Sequence, residues 1–280
     1  MSILDQLVNF PLQTTATERG QVSFRSSGNA TKITHVLLHG IGSGSASWFG
    51  QLGAAHSLAS HRLLAWDAPG YGQSTPLQPV EPRAHDYAKV MWDWLDRQHH
   101  AAPVTLVGHS LGALMAAAAC CLAPDRVAGL VLLAPAQGYG QAPPSEREKK
   151  LQDRLATLNR LGPQGLAEQR SAAMLSEQAP ARLQAMVRAN MAAIHPEGYT
   201  QASRMLANGQ LLRDLAACPV GIPIVVASGA ADTITTPSAC QAVAAAAHVS
   251  WINLGPAGHA CPLEAVLQVN ALLGLPEYPL

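Results

Sequence analysis

Val104-Thr105-Leu106-Val107-Gly108-His109-Ser110-Leu111-Gly112, continued by Ala113–Leu122, is the stretch that decides the fold. Val104–Val107 is a short apolar run, as a buried strand requires. Leu111–Leu122 reads LGALMAAAACCL, and a helix that apolar is normally buried. Between them lies a G-x-S-x-G turn. A sharp strand-to-helix turn of this kind lifts the serine side chain clear of the backbone at the start of the helix. Its glycines let neighbouring backbone pass without a Cβ clash. The helix N-terminus adds free N–H groups and a partial positive charge beside the serine. The blander alternative is a glycine turn with Ser110 as an N-cap.

Working outward, further strand-like runs occur at Ile33–Leu38, Arg62–Trp66, Val127–Leu133, Ile222–Ala227 and Val249–Asn253. They are mostly apolar on both faces, which suits a parallel sheet covered by helices on each side. Helical patterns fall between them, at Asp86–Arg97, Pro237–Ala247 and Pro262–Leu273. The alternation stops between about Gln137 and Gly209, where charge density rises and the pattern is helical throughout. We expect one α/β core, residues 1–136 and 210–280, interrupted by a helical insertion, residues 137–209.

A serine hydroxyl is a weak nucleophile until a base takes its proton and a carboxylate orients that base. In this kind of sheet the acid and base follow the serine in chain order, on loops after later strands. Asp232, in SGAADTITTP after Ile222–Ala227, fits the acid; His259, in GPAGHACPLE after Val249–Asn253, fits the base. The remaining ten histidines have no comparable setting, and His109 inside the turn reads as structural. The loop His39-Gly40-Ile41-Gly42-Ser43-Gly44 can present backbone N–H groups to a developing oxyanion. The two expected donors are the amides of Ile41 and of Leu111, each worth about 3–4 kcal/mol in a transition state. A phosphate loop is excluded, because Ser45 stands where G-x-G-x-x-G needs its last glycine and no G-K-[ST] occurs. Asp67, in WDAPGYGQS, precedes Ser110 and reads as structural.

Lysine plus arginine number 18, aspartate plus glutamate 18. That balance argues against a nucleic-acid partner, which needs a basic surface. Apolar residues at 48 % against 13 % charged support a folded core. The longest apolar runs fall short of a membrane span, and the first twenty residues lack a secretory pattern. Five cysteines, Cys120 and Cys121 adjacent and Cys218, Cys240 and Cys261 scattered, without C-x-x-C, read as reduced thiols in a cytoplasmic protein. No H-E-x-x-H or other ligand spacing points to a metal.

HGIGSG, WDAPGYGQS, GHSLG, the Asp232 loop and the His259 loop occur in the order found in the α/β-hydrolase superfamily, which the chain resembles over nearly all of residues 33–273 outside the insertion. The resemblance implies an eight-stranded, mostly parallel sheet with helices on both faces and a helical lid inserted after the sixth strand. It also implies a Ser110–His259–Asp232 triad, an oxyanion hole at Ile41 and Leu111, and no cofactor. Serine at the turn disfavours the epoxide-hydrolase and dehalogenase branches, which carry aspartate there. The chain is similar to carboxylesterases and, in length and lid, to the 3-oxoadipate enol-lactonases, so the expected substrate is a small carboxylic ester or lactone, with aromatic-compound catabolism as the analogous setting. HGIGSGSASW is also similar to the corresponding loop of the meta-cleavage-product hydrolases, which cut carbon–carbon bonds. Those enzymes typically carry Asn before the serine, Met after it, and Trp after the catalytic histidine. Here the positions hold His109, Leu111 and Ala260. A third alternative is an inactive ligand-binding protein on the same scaffold. Arg182, Arg188 and Arg204 of the insertion are candidate carboxylate ligands, set against an ordinary solvated role.

Overall fold

The structure is a computed structural model that describes residues 3–278. Met1, Ser2, Pro279 and Leu280, which the expected core includes, lie outside the described residues. The strands are β1 (Gln13–Thr17), β2 (Gly20–Ser27), β3 (His35–Leu38), β4 (Leu63–Trp66), β5 (Val104–His109), β6 (Val127–Leu133), β7 (Ile224–Ser228) and β8 (Trp251–Asn253). They form one sheet in the order β1-β2-β4-β3-β5-β6-β7-β8. The β1–β2 and β2–β4 pairs are antiparallel and all others parallel. The α-helices begin with α1 (Ile3–Gln6), α2 (Phe49–Ala55), α3 (Ala84–Arg97) and α4 (Leu111–Leu122). Then come α5 (Pro144–Arg170), α6 (Ala181–Ala192), α7 (Pro196–Asn208) and α8 (Leu211–Ala217), followed by α9 (Pro237–Ala246), α10 (Cys261–Glu264) and α11 (Val266–Leu272).

Side chains alternate across a strand, so consecutive residues feed opposite layers. Val36 and Leu38, Leu64 and Trp66, and Leu130 and Leu132 enter one core, shared with α3 and α4. Leu37, Leu63, Ala65, Val131 and Leu133 enter the other, shared with α2 and α11. Strands apolar on both faces are thus explained by two packed layers. No helix of the described residues is long and apolar enough to cross a membrane.

Leu111–Leu122 and Val127–Leu133 match their expected bounds. Three features differ. The hairpin β1–β2 is absent from the residue pattern: β1 reads QTTAT and is largely exposed, so an edge strand gives little apolar signal. The seven-residue α2 is short and rich in glycine and alanine. Pro262–Leu273 is two helices, α10 and α11, parted at Ala265.

Between β6 and β7 the described chain carries helices and short connections but no strand, from Pro144 to Ala217. Its two stems meet: the Gly140 N–H donates to the Gly209 carbonyl at 2.8 Å, and Leu211 N–H to Gln137 at 3.0 Å. A Cβ on Gly138 would lie 2.3 Å from that same Gly209 oxygen, so glycine is required by close approach. Helix α5 breaks at Gly162, whose φ of 64° and ψ of 178° suit only glycine, ahead of Pro163.

Candidate active site

Strand β5 delivers Ser110 to the sheet's carboxyl edge. Its φ is 52°, a left-handed conformation unusual for a residue with a side chain. Three backbone bonds hold it there. The Ser110 N–H donates to Leu133 at 2.9 Å, and the Ser110 carbonyl accepts from Ala113 and Ala136, both at 3.1 Å. The flanking glycines are needed for space. A Cβ on Gly112 would sit 2.1 Å from the Leu38 carbonyl oxygen, and one on Gly108 2.6 Å from that of Gly112.

The loop after β8 carries His259, and the loop after β7 carries Asp232. The Ser110 hydroxyl donates to His259 Nε2 at 2.9 Å. His259 Nδ1–H donates to Asp232 Oδ2, also at 2.9 Å. Both members of the second pair are almost fully buried. Asp232 accepts further bonds at Oδ1, from the N–H groups of Ile234 (2.8 Å) and Thr235 (3.0 Å). Burial would raise the Asp232 pKa, but the bonds from His259, Ile234 and Thr235 outweigh it and hold the carboxyl below its ordinary value.

Thr235 escapes a motif-based reading. Its Oγ1 lies 2.8 Å from Asp232 Oδ2, 3.0 Å from the Ala134 carbonyl and 3.1 Å from His259 Nδ1. It therefore braces the acid and the histidine at once. The signal was present as the threonine three residues after an aspartate, the spacing of a side-chain-closed turn. Glu264 was also unforeseen. Its carboxylate accepts from Gly258 N–H at 2.8 Å, Ser176 N–H at 3.0 Å and the Ser176 hydroxyl, tying the His259 loop to the inserted segment.

His109 lies beside the pair. Its Nε2–H donates to the His259 carbonyl at 2.8 Å, and burial, with His259 nearby, lowers its pKa to about 3. It is thus neutral, and its bond braces the His259 backbone. His39 plays a similar part for the glycine loop. Its Nδ1–H donates to the Gly40 carbonyl at 2.8 Å, and Nε2 accepts the Ala68 N–H at 3.0 Å. Those partners fix the neutral tautomer, and burial lowers its pKa. Asp67 takes Ser45 N–H at 2.7 Å on one oxygen and the Ser23 hydroxyl at 2.8 Å on the other, consistent with a structural role.

The Tyr71 hydroxyl donates to the Ile41 carbonyl at 2.8 Å. The Ile41 and Leu111 N–H groups have no acceptor among the described residues. The glycine loop runs close over the serine: a Cβ on Gly40 would lie 3.2 Å from Ser110 Cβ. Ile41, Ser110 and His259 border a cavity of about 320 Å3, roofed by residues of α5, α6 and α7. Arg182, Arg188 and Arg204 do not line it. Arg204 instead donates to the Val80 carbonyl at 2.8 Å. The cavity's arginines are Arg154 and Arg170.

The sequence model of the α/β hydrolase fold matches residues 36–266, and the chain belongs to that family. A 2-hydroxy-6-oxononadienedioate/2-hydroxy-6-oxononatrienedioate hydrolase from Paraburkholderia phymatum is 36 % identical over 124 residues, 42 % of this chain and 40 % of that protein. The chain spans only 36 to 60 % of the length of the first three curated relatives it matches. A thermophilic esterase from Thermogutta terrifontis superposes with a TM-score of 0.80 at 21 % identity, over 94 % of this chain and 97 % of that one. The enol-lactonase from Burkholderia xenovorans LB400 superposes at 0.78 and 20 % identity, with the same coverage. At those identities the two superpositions speak for the fold alone.

Proposed function

We propose that this chain is a serine hydrolase that cleaves a carboxylic ester or lactone through an acyl-enzyme on Ser110. The observation that carries the reading is the Ser110–His259–Asp232 chain of two 2.9 Å hydrogen bonds, with Ser110 and His259 facing one cavity. His259 Nε2 takes the proton of Ser110 as Oγ attacks the carbonyl. The Ile41 and Leu111 amides receive the tetrahedral oxyanion. Asp232, held ionised by its four bonds, fixes the His259 tautomer and stabilises the imidazolium. His259 then protonates the departing alkoxide, and water repeats the cycle on the acyl-enzyme. Residues 137–209 act as the lid over Ser110, which their share of the cavity wall supports. The expected partner is a small-molecule substrate. A cytoplasmic setting fits cysteines that are all free.

Carbon–carbon hydrolysis is the second reading, favoured by the likeness to the nonadienedioate hydrolase. It needs a proton moved onto a dienol substrate first, so that carbon can leave. His109, hydrogen-bonded to the His259 carbonyl and neutral, is a poor source of that proton. The expected result is a higher kcat/KM for an aryl ester or enol lactone than for a 2-hydroxy-6-oxo-dienoate in one buffer. A dienoate preference of tenfold or more, about 1.4 kcal/mol, installs the carbon–carbon reading instead.

A further inference from the structure

The charged groups bordering the cavity are of one sign. Arg154 and Arg170 line it, and no aspartate or glutamate does among the described residues. Neither arginine has a carboxylate within salt-bridge distance among the described residues. Lys150, one turn before Arg154, makes the contrast: it pairs with Glu146 at 3.7 Å and covers the Tyr139 ring. Helix α5 supplies both arginines, one from each side of its break at Gly162. Each is partly buried, so each has given up some water without gaining a counter-charge.

Two neutral groups complete the set. Asn190, from α6, lines the cavity, and its buried Nδ2 has no hydrogen-bond partner among the described residues. A buried donor left unpaired costs about 1–3 kcal/mol, so this amide favours a ligand that brings an acceptor. Tyr199, from α7, is buried and accepts from Arg154 Nη1 at 3.2 Å, which orients the guanidinium and leaves its own hydroxyl proton without an acceptor among the described residues. The insertion's side of the cavity thus presents donors, while the sheet side presents Ser110 and His259.

The geometry points to a substrate that carries its own carboxylate: a half-ester or lactone of a dicarboxylic acid, anchored on Arg154 and Arg170 while its other carbonyl meets Ser110. The inference rests on the acyl-enzyme reading for the reaction, and on the insertion's side chains for the anion. A guanidinium matches a planar carboxylate with two parallel bonds. The rest of the wall is largely apolar and suits the chain between the two ends. A single-sign wall in a partly closed cavity also concentrates anions at its mouth.

The test compares the mono-p-nitrophenyl ester of glutaric acid with p-nitrophenyl pentanoate, a neutral ester of the same acyl length. The readout is the ratio of their kcat/KM values, so any general loss of activity cancels. The expected wild-type ratio is at least tenfold in favour of the charged ester. It falls at least tenfold in Arg154→Gln/Arg170→Gln, is partly restored in Arg154→Lys/Arg170→Lys, and shrinks with added salt. Efficient Ser110-dependent hydrolysis of both esters with a ratio near one overturns this inference and leaves the acyl-enzyme reading standing. Calorimetry with glutarate on Ser110→Ala protein separates the opposite case. Binding that the double glutamine variant loses supports the anion site even where no ester is turned over; a ratio that survives the double variant overturns it.

Discussion

The turn at Ser110 and the inserted helices around Arg154 and Arg170 border one cavity, yet they are held in opposite ways. Helix α4, behind Ser110, buries ten of its twelve residues. Helix α5 buries three of twenty-seven, Leu158, Leu166 and Ala167. The serine is set by backbone, through three main-chain bonds and two glycines that admit no Cβ. The arginines are set by a helix face and a break, and Arg154 adds one side-chain bond, to Tyr199. Reaction chemistry needs atoms fixed to within a few tenths of an ångström. Recognition tolerates a looser wall, and lids come from the less stable parts of a fold.

A pair of glycine substitutions breaks or sharpens that contrast most strongly. Gly112→Ala drives a Cβ to 2.1 Å from the Leu38 carbonyl, so backbone must move in the centre of the sheet. We expect a loss of at least about 3 kcal/mol or no folded protein. Gly162→Ala meets no atom of the described residues within 4 Å and is penalised only by its backbone conformation, φ 64° and ψ 178°. There the expected loss is about 1–3 kcal/mol with a cooperative transition retained. Denaturant unfolding measures both, and equal losses would remove the distinction between the two regions.

A smaller effect comes from pH. His109 sits on the sheet side with its pKa lowered to about 3, against about 6.5 for an unfolded histidine. Its contribution to stability is therefore complete above about pH 6.5 and declines as pH falls toward 3, because only the unfolded chain takes the proton. The expected slope is up to about 1.4 kcal/mol per pH unit for this group. Asp232 behaves differently: its lowered pKa keeps its contribution intact until pH falls below the ordinary carboxylate range. Unfolding free energies from pH 7 to pH 5 for wild type and His109→Asn check the point. The variant should show the shallower slope, and parallel curves would contradict a neutral His109 brace.

The same contrast explains what the sequence made legible. Ser110, its flanking glycines and the alanine-rich helix are local along the chain, so the turn can be read without tertiary information. Asp232 and His259 follow from chain order and from loop positions after apolar runs. Thr235 and Glu264 act through bonds to residues that fold beside them, and nothing in periodicity separates such a threonine or glutamate from its neighbours. The arginines show the limit most clearly. Six arginines from Arg154 to Arg204 lie on helices with similar polar surroundings, and only the break at Gly162 and the seating of α5 decide which two reach the cavity. The β1–β2 hairpin was hidden because its exposed edge carries threonine and glutamine in place of apolar residues.

The central claim is that Ser110 is the nucleophile, activated by His259. A fluorophosphonate reacts only with a serine whose proton can be taken as it attacks. Labelling the folded protein at neutral pH and mapping the adduct by peptide mass spectrometry tests the claim directly. One adduct is expected, on Ser110, that is absent in Ser110→Ala and slowed severely in His259→Ala. Label on another residue, or none on folded protein, would contradict it.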